Sequence, residues 1–202
     1  MDIKWFGNEL DDTTPIWRYI DIFKLWDILN NNRLYFSRVE EFEDPSEITH
    51  FPVHLLQTEI GLSNAEGFLK ELKKRLCINC WHINNSESMG MWKSYNSNSG
   101  VAIVSNIKSL CGILQNALKK NACIGKVKYI DSTGEILTED GKIPHLHFPF
   151  YKNKPWEYEQ EFRVAYFLYC KEDPSYGLFE KASQSDIMIN GTKMKIEKDG
   201  IF

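Results

Sequence analysis

The segment 155–170, PWEYEQEFRVAYFLYC, joins an apolar strand candidate to a short run of carboxylates. Residues 162–170 are almost continuously apolar, which is typical of a buried strand. Just before them, acidic residues alternate at Glu157, Glu159 and Glu161. Because alternate side chains of an extended chain share a face, the sequence predicts three neighbouring carboxylates on one side of this strand.

Neighbouring carboxylates need an explanation, because they repel one another and raise one another's pKa. Arg163 lies two residues after Glu161, on the same predicted face, and is a candidate ion-pair partner. Two interpretations of this segment therefore stay open. It is either a solvated strand edge with an ion pair or a functional pair of carboxylates.

Outside this segment, short strand patterns and amphipathic helix patterns follow one another without a regular β–α–β rhythm. The strand candidates are residues 17–20, 33–37, 77–83, 99–105 and 123–131, and the helix candidates are residues 20–32, 64–76, 86–95 and 106–120. The pattern predicts an α+β fold with a mixed or antiparallel sheet and flanking helices. It also predicts a single domain over residues 1–202, with a helical insertion at about 46–76 and a long connection at 132–153.

The composition excludes some classes of function. The 202 residues include 43% hydrophobic residues and carry a net charge of -4, which argues against a general nucleic-acid coat protein because such proteins need a basic surface. No apolar stretch approaches the ~20 residues of a membrane span. The acidic amino terminus lacks the apolar core of a signal peptide. We therefore expect a protein of the cytoplasm, without a membrane partner and with reduced cysteines.

Cys77 and Cys80 form a Cys-x-x-Cys pair that is followed by His82, a pattern that occurs in zinc sites. A structural zinc site needs four ligands, and the sequence has no second cysteine pair. In a strand, the two cysteines would also point to opposite faces. The pattern therefore predicts buried structural thiols and no metal site.

The segment 91–95, MWKSY, places Met91, Trp92 and Tyr95 just before a polar Ser/Asn turn. One interpretation is a helix that packs its aromatic side chains into the core. The other is a flat aromatic wall on which a ligand ring stacks.

Several motifs together resemble an uncharacterised bacterial and phage family that is known only as a domain of unknown function. Its pattern begins with Arg-Tyr and is followed by Leu-Tyr-Phe-Ser, Phe-x-Asp-Pro-x-Glu, Met-Trp-x-x-Tyr and Glu-x-Glu-Phe-Arg. These motifs stand here at Arg18, 34–37, 42–47, 91–95 and 159–163. Members of that family continue into a further strand and helix, so the resemblance implies a shortened or divergent member.

More distantly, the order of these motifs is similar to that of ADP-ribosyltransferases, which implies their split sheet and NAD as the substrate. In that superfamily an Arg or His on the first strand holds NAD, a position that Arg18 matches. Ser37 offers the hydroxyl of the next motif. Trp92 and Tyr95 are candidates for the aromatic residue that stacks on nicotinamide.

The Glu-x-Glu of that superfamily matches Glu159 and Glu161. The resemblance implies that Glu161 stabilises the oxocarbenium ion and that Glu159 binds a ribose hydroxyl or deprotonates the acceptor. We therefore expect an ADP-ribosyltransferase-like or NAD-cleaving domain, acting in bacterial or phage conflict on a protein or nucleic-acid acceptor. The alternative is a catalytically inert module of the same fold that binds a small nucleotide or a protein.

Overall fold

The structure of the protein is a computed structural model. It describes residues 4–42, 44, 67, 70, 72–95, 99–117, 122–131 and 145–168, together with short strand segments between 187 and 201.

A mixed sheet forms the centre of the described structure. Seven strands build it: β1 (Lys4–Phe6), β2 (Pro15–Asp21), β3 (Ser37–Arg38), β4 (Leu76–Ile83), β5 (Gly100–Asn106), β6 (Ala122–Lys126) and β9 (Glu161–Phe167). The order across the sheet is β1-β6-β9-β4-β2-β5, and β3 pairs with β4 beside β2. β1 runs parallel to β6, whereas the other pairings are antiparallel. The predicted α+β fold with a mixed sheet is confirmed.

Smaller strand pairs lie outside the main sheet. β7 (Lys128–Ile130) pairs in parallel with β8 (Tyr151–Asn153). β10 (Ile187–Ile189) pairs with β11 (Thr192–Met194), and β12 (Ile196–Glu197) pairs with β13 (Gly200–Ile201), both antiparallel.

Local side-chain interactions explain where the helices lie. The side chain of Asp21 caps α1 (Ile22–Asn31) by accepting a hydrogen bond from the amide of Lys24, and Asn32 ends it in the left-handed conformation. α2 (Met89–Tyr95) begins where the Ser88 hydroxyl accepts a hydrogen bond from the amide of Met91. α3 (Ile107–Ala117) packs an apolar stripe on the sheet.

The two faces of the sheet have different coverings. α3 covers one face, here called the α3 face, through a cluster that includes Leu110 and Leu114 of the helix and Trp81 and Phe162 of the sheet. Because side chains alternate along a strand, Glu161, Arg163, Ala165 and Phe167 of β9 lie on the other face. This second face is here called the carboxylate face.

The structure corrects three boundaries. Residues 156–160 are not extended, because Pro155 favours the start of a 3₁₀ helix over Lys154–Glu159, and Gln160 then turns the chain with a φ of 39° before β9 begins at Glu161. The predicted strand 123–131 is two strands that are separated at Val127, where the amide of Glu161 donates to the hydroxyl of Tyr129 and the ladder with β9 ends. The predicted strand 33–37 shortens to β3.

The predicted insertion at about 46–76 lies mostly outside the described residues. Residues 72–75 are helical, as expected, and Leu72 is buried while Lys70 is exposed. Of the predicted connection 132–153, residues 145–150 form a 3₁₀ helix that leads into β8. Among the helices that the structure describes, none has the length and apolarity needed to cross a lipid bilayer.

Candidate functional site

Glu159 and Glu161 lie side by side at the start of the central strand β9. Glu159 ends the 3₁₀ helix, the left-handed Gln160 reverses the backbone direction, and Glu161 opens the strand. Both carboxylates are buried, with 1% of Glu159 and 4% of Glu161 exposed. The tight turn, rather than an extended chain, brings them together.

Two cations bind the carboxylates. Nζ of Lys152 lies 2.5 Å from Oε2 of Glu159 and 2.7 Å from Oε1 of Glu161, so it bridges them. Arg163 contacts Glu161 through Nε at 2.6 Å and through Nη2 at 3.0 Å, which confirms the predicted ion pair. We call these four residues the carboxylate cluster.

The two carboxylates have opposite pKa shifts. Burial, together with the hydrogen bond and charge of Glu161, raises the pKa of Glu159 to about 7. Burial would also raise the pKa of Glu161, but the charges of Arg163 and Lys152 outweigh it and hold this pKa well below its usual range. Near neutral pH, Glu161 is therefore ionised while Glu159 exchanges a proton.

Tyr95 connects the cluster to the protein surface. It ends α2, its side chain is 47% exposed, and its hydroxyl donates a hydrogen bond of 2.9 Å to Oε1 of Glu159. Burial and the charges of the two glutamates raise its pKa, so the phenol stays protonated and remains a donor. A solvent-facing ring thus reaches a buried carboxylate.

Further aromatic rings stand on the two elements that carry Tyr95 and Glu159. Trp92 packs edge-on against Tyr19 at 4.9 Å between ring centroids, and its Nε1 donates to Glu87. The ring of Trp156 lies 4.9 Å from Nζ of Lys152, in the geometry of a cation–π contact. Tyr158, also 47% exposed, neighbours Trp156 at 6.2 Å.

Arg18 does not join this group. Its guanidinium lies over the ring of Trp81 on the α3 face, 5.8 Å from the ring centroid, and its Nη2 donates to the carbonyl of Tyr35. The neighbouring residues Trp17 and Tyr19 point to the carboxylate face instead, because Trp17 pairs with His82 of β4. The strand position that we expected to hold NAD therefore places its side chain on the side of the sheet away from Glu161.

Ser37 shares the carboxylate face but lies far along the sheet. It pairs with Ile78, four residues along β4 from His82, which is the partner of Glu161. At about 3.3 Å per residue this separation is roughly 13 Å. Of the predicted site residues, the structure brings Glu159, Glu161 and Tyr95 into contact, with Trp92 close by, and separates Ser37 and Arg18 from them.

Three neighbours of the glutamates were not predicted. They are Lys152, His82, whose Nδ1 lies 2.6 Å from the carbonyl of Glu159, and Tyr129, whose hydroxyl accepts a hydrogen bond from the amide of Glu161. Lys152 stands in the short strand β8, inside the segment 132–153 that was interpreted as a long connection, so no local pattern points to it. His82 follows the Cys-x-x-Cys pair in the sequence, but that pattern suggests only a zinc ligand.

The cysteines take up separate positions. Cys77 packs in the cluster on the α3 face and Cys80 packs against the cluster on the carboxylate face, so their predicted divergence is confirmed. Burial raises the pKa of Cys77 and of Cys123 to about 12. Within the described ranges, no group of three or more His, Cys, Asp or Glu side chains is arranged to hold a metal ion.

Comparison with known proteins gives one match. Residues 91–164 match a family described as a protein of unknown function (DUF2971), which supports the predicted resemblance to an uncharacterised domain. The matched segment runs from α2 to the middle of β9 and contains Tyr95, Lys152, Glu159 and Glu161. Neither the curated proteins nor the solved structures gave a match.

Proposed function

We propose that this protein cleaves NAD at the bond between nicotinamide and ribose and passes the ADP-ribosyl group to water or to an acceptor on a protein or nucleic acid. The observation that carries the proposal is the convergence of Tyr95 with Glu159 and Glu161, which come from two motifs far apart in the sequence and lie in one hydrogen-bonded group. The resemblance to ADP-ribosyltransferases supplies the reaction and the role in bacterial or phage conflict.

The charges of the cluster suit a nucleotide. When Glu159 is protonated, Lys152 and Arg163 carry two positive charges against the single negative charge of Glu161. A buried site with excess positive charge attracts an anionic diphosphate. The exposed rings of Tyr95 and Tyr158 provide surfaces on which nicotinamide or adenine can stack.

The chemistry places the two glutamates in different roles. As the C1′–N bond breaks, its electron pair leaves with nicotinamide, which becomes neutral, and positive charge develops on the ribose. Glu161 remains ionised and stabilises this charge. An acceptor oxygen then bonds to C1′ and loses its proton to the ionised form of Glu159, which a pKa of about 7 keeps populated beside the protonated form near neutral pH. Tyr95 orients that carboxylate by its hydrogen bond.

One observation favours a second function, that of an inert binding module. Each oxygen of Glu161 contacts a cation, and so does Oε2 of Glu159. Carboxylates that are fully engaged in ion pairs stabilise a fold or hold a ligand without reacting. Such a module would bind ADP-ribose or NAD and release no nicotinamide.

Tyr95→Phe tests the proposal without disturbing the buried ions. It removes one hydroxyl from a partly exposed ring, so the fold should persist. Losing a hydrogen bond to a charged group typically removes about 1.5–3 kcal/mol, so nicotinamide release should fall roughly 10- to 100-fold. Tyr158→Phe is the matched control, because Tyr158 is as exposed as Tyr95. This variant should leave the rate of nicotinamide release unchanged.

Glu161→Gln tests the role of the charge itself. It should lower nicotinamide release about 100-fold or more. Because it also weakens two buried ion pairs, its melting temperature must be measured beside that of Arg163→Gln. Undetectable release by the wild-type protein, with ADP-ribose still bound, would reject the enzyme in favour of the binding module.

A further inference from the structure

His82 lies on the carboxylate face near the end of β4. Its side chain is 3% exposed, and on β4 it stands directly opposite Glu161 of β9 on one side and Trp17 of β2 on the other. Directly opposed residues of antiparallel strands have Cβ atoms about 4.5–5.5 Å apart. His82 is therefore an immediate neighbour of Glu161, although it lies outside the carboxylate cluster.

The hydrogen bond at Nδ1 identifies which ring nitrogen carries the hydrogen in the neutral imidazole. Nδ1 lies 2.6 Å from the backbone oxygen of Glu159, and a carbonyl oxygen can only accept. Nδ1 therefore carries the hydrogen. In the neutral imidazole this leaves a lone pair on Nε2, which makes Nε2 a hydrogen-bond acceptor.

Nε2 has no hydrogen-bond partner among the described residues, although it is fully buried. Tyr19 packs edge-on against His82 at 6.1 Å between ring centroids, and its hydroxyl oxygen accepts from the amide of Ser88. Buried polar atoms in folded proteins are almost always paired, so an acceptor left open beside a charged site points to a group supplied by a ligand.

We propose that Nε2 of His82 accepts a hydrogen bond from a hydroxyl of the ribose whose C1′ lies against Glu161. An acceptor requires a donor, and the hydroxyls are the donors of that sugar. The spacing fits, because a ribose with C1′ at Glu161 brings its 2′- and 3′-hydroxyls within reach of a side chain on the adjacent strand. The identity of the sugar rests on the proposed function, whereas the open acceptor is a property of the chain itself.

NMR of the wild-type protein with ¹⁵N-labelled imidazoles tests this directly. In the free protein, His82 should give one protonated nitrogen at Nδ1 and one lone-pair nitrogen at Nε2. On titration with ADP-ribose, the lone-pair resonance should move upfield, as expected when that nitrogen accepts a hydrogen bond. The four other histidines should be unaffected and serve as internal controls.

Two variants separate the ligand contact from support of the backbone. In His82→Asn, the side-chain amide nitrogen takes the place of Nδ1 and can keep the hydrogen bond to the carbonyl of Glu159, but no atom replaces Nε2. The affinity for ADP-ribose should therefore fall about tenfold, as expected for one lost hydrogen bond. His82→Gln extends an acceptor oxygen to the position of Nε2 and should restore most of that affinity. Calorimetry measures both, and the wild-type titration decides the question if either variant fails to fold.

The outcomes separate this inference from the proposed enzyme. If His82 responds to ADP-ribose but NAD is not cleaved, the inference stands and the binding module replaces the enzyme. If NAD is cleaved but the His82 resonance does not move, the inference is overturned and the enzyme stands. If the His82 resonance does not move and NAD is not cleaved, the inference and the proposed enzyme are both overturned.

Discussion

Lys152 is the residue on which the balance of charge at the two glutamates depends. It bridges Glu159 and Glu161 at 2.5 and 2.7 Å, and it is buried with them. Removing one partner from a buried ion pair typically costs about 3–5 kcal/mol, because the remaining charge is left uncompensated. Lys152 and Arg163 are therefore needed to fold the chain around two buried carboxylates, whatever the site does.

Arg18 should behave in the opposite way. Its guanidinium makes no ion pair within the described part of the chain, its Nη1 is buried without a partner, and burial lowers its pKa to about 10. Arg18→Met removes an uncompensated charge, so the free energy of unfolding in urea should stay the same or rise by about 1 kcal/mol. Nicotinamide release should be unchanged, because Arg18 lies on the α3 face.

Arg163→Met is the control for this experiment. The same substitution should there lower the free energy of unfolding by about 3–5 kcal/mol, since it removes one of the two cations that compensate the buried charge of Glu161. A loss of nicotinamide release in Arg18→Met at unchanged stability would contradict the separation of the two faces. It would return Arg18 to the role that the resemblance to ADP-ribosyltransferases implies.

At the scale of elements, the edge strand β1 depends on a single glycine in β6. A Cβ atom on Gly125 would lie 2.7 Å from the carbonyl oxygen of Phe6, which pairs with it across the parallel ladder. Gly125 also stands opposite Arg163 on β9. The close contact between β1 and β6 at Gly125 therefore lies next to the carboxylate cluster.

Gly125→Ala should destabilise the protein by about 1–3 kcal/mol, because backbone must shift to admit the methyl group. Gly112→Ala is the matched control. Gly112 lies inside α3 with open space around its Cβ position, so alanine should raise stability by about 0.5–1 kcal/mol through its helix propensity. Equal melting temperatures for the two variants would show that β1 shifts to admit the methyl group without a loss of stability.

At the scale of the whole molecule, Glu159 makes stability depend on pH. Its pKa rises from 4.5 to about 7 on folding, so between these values the folded chain holds more protons than the unfolded chain. Stability should therefore fall as the pH rises through this window. The lowered pKa of Glu161 acts in the other direction at more acidic pH, where stability should rise with pH. Maximum stability is expected near the lower end of the window.

Glu159→Gln should flatten the decline between about pH 4.5 and about pH 7, because it removes the titrating group. Urea unfolding across this range measures the effect, and the difference from wild type cancels the histidines, which titrate in both. Glu157→Gln is the control, since Glu157 lies exposed on the same 3₁₀ helix. A decline of the same slope in Glu159→Gln would assign it to a titrating group other than Glu159.

The sequence by itself determined the elements and the nature of the central strand. Apolar runs and caps act over a few residues, so β2, β4, β5, α1 and the ion pair of Glu161 with Arg163 could be predicted from local patterns. The same reasoning nominated Glu159 and Tyr95, because both stand in compact motifs.

The tertiary structure decided which side chains meet. One residue of register sends Trp17 to the carboxylate face and Arg18 to the α3 face, and nothing in the strand pattern fixes that choice. Lys152 and His82 reach the glutamates across distant sequence positions through sheet pairing and a 3₁₀ turn, so no local spacing reveals them. Burial then sets the proton affinities of the two carboxylates apart, because low-dielectric surroundings amplify the charges that the fold places beside each one.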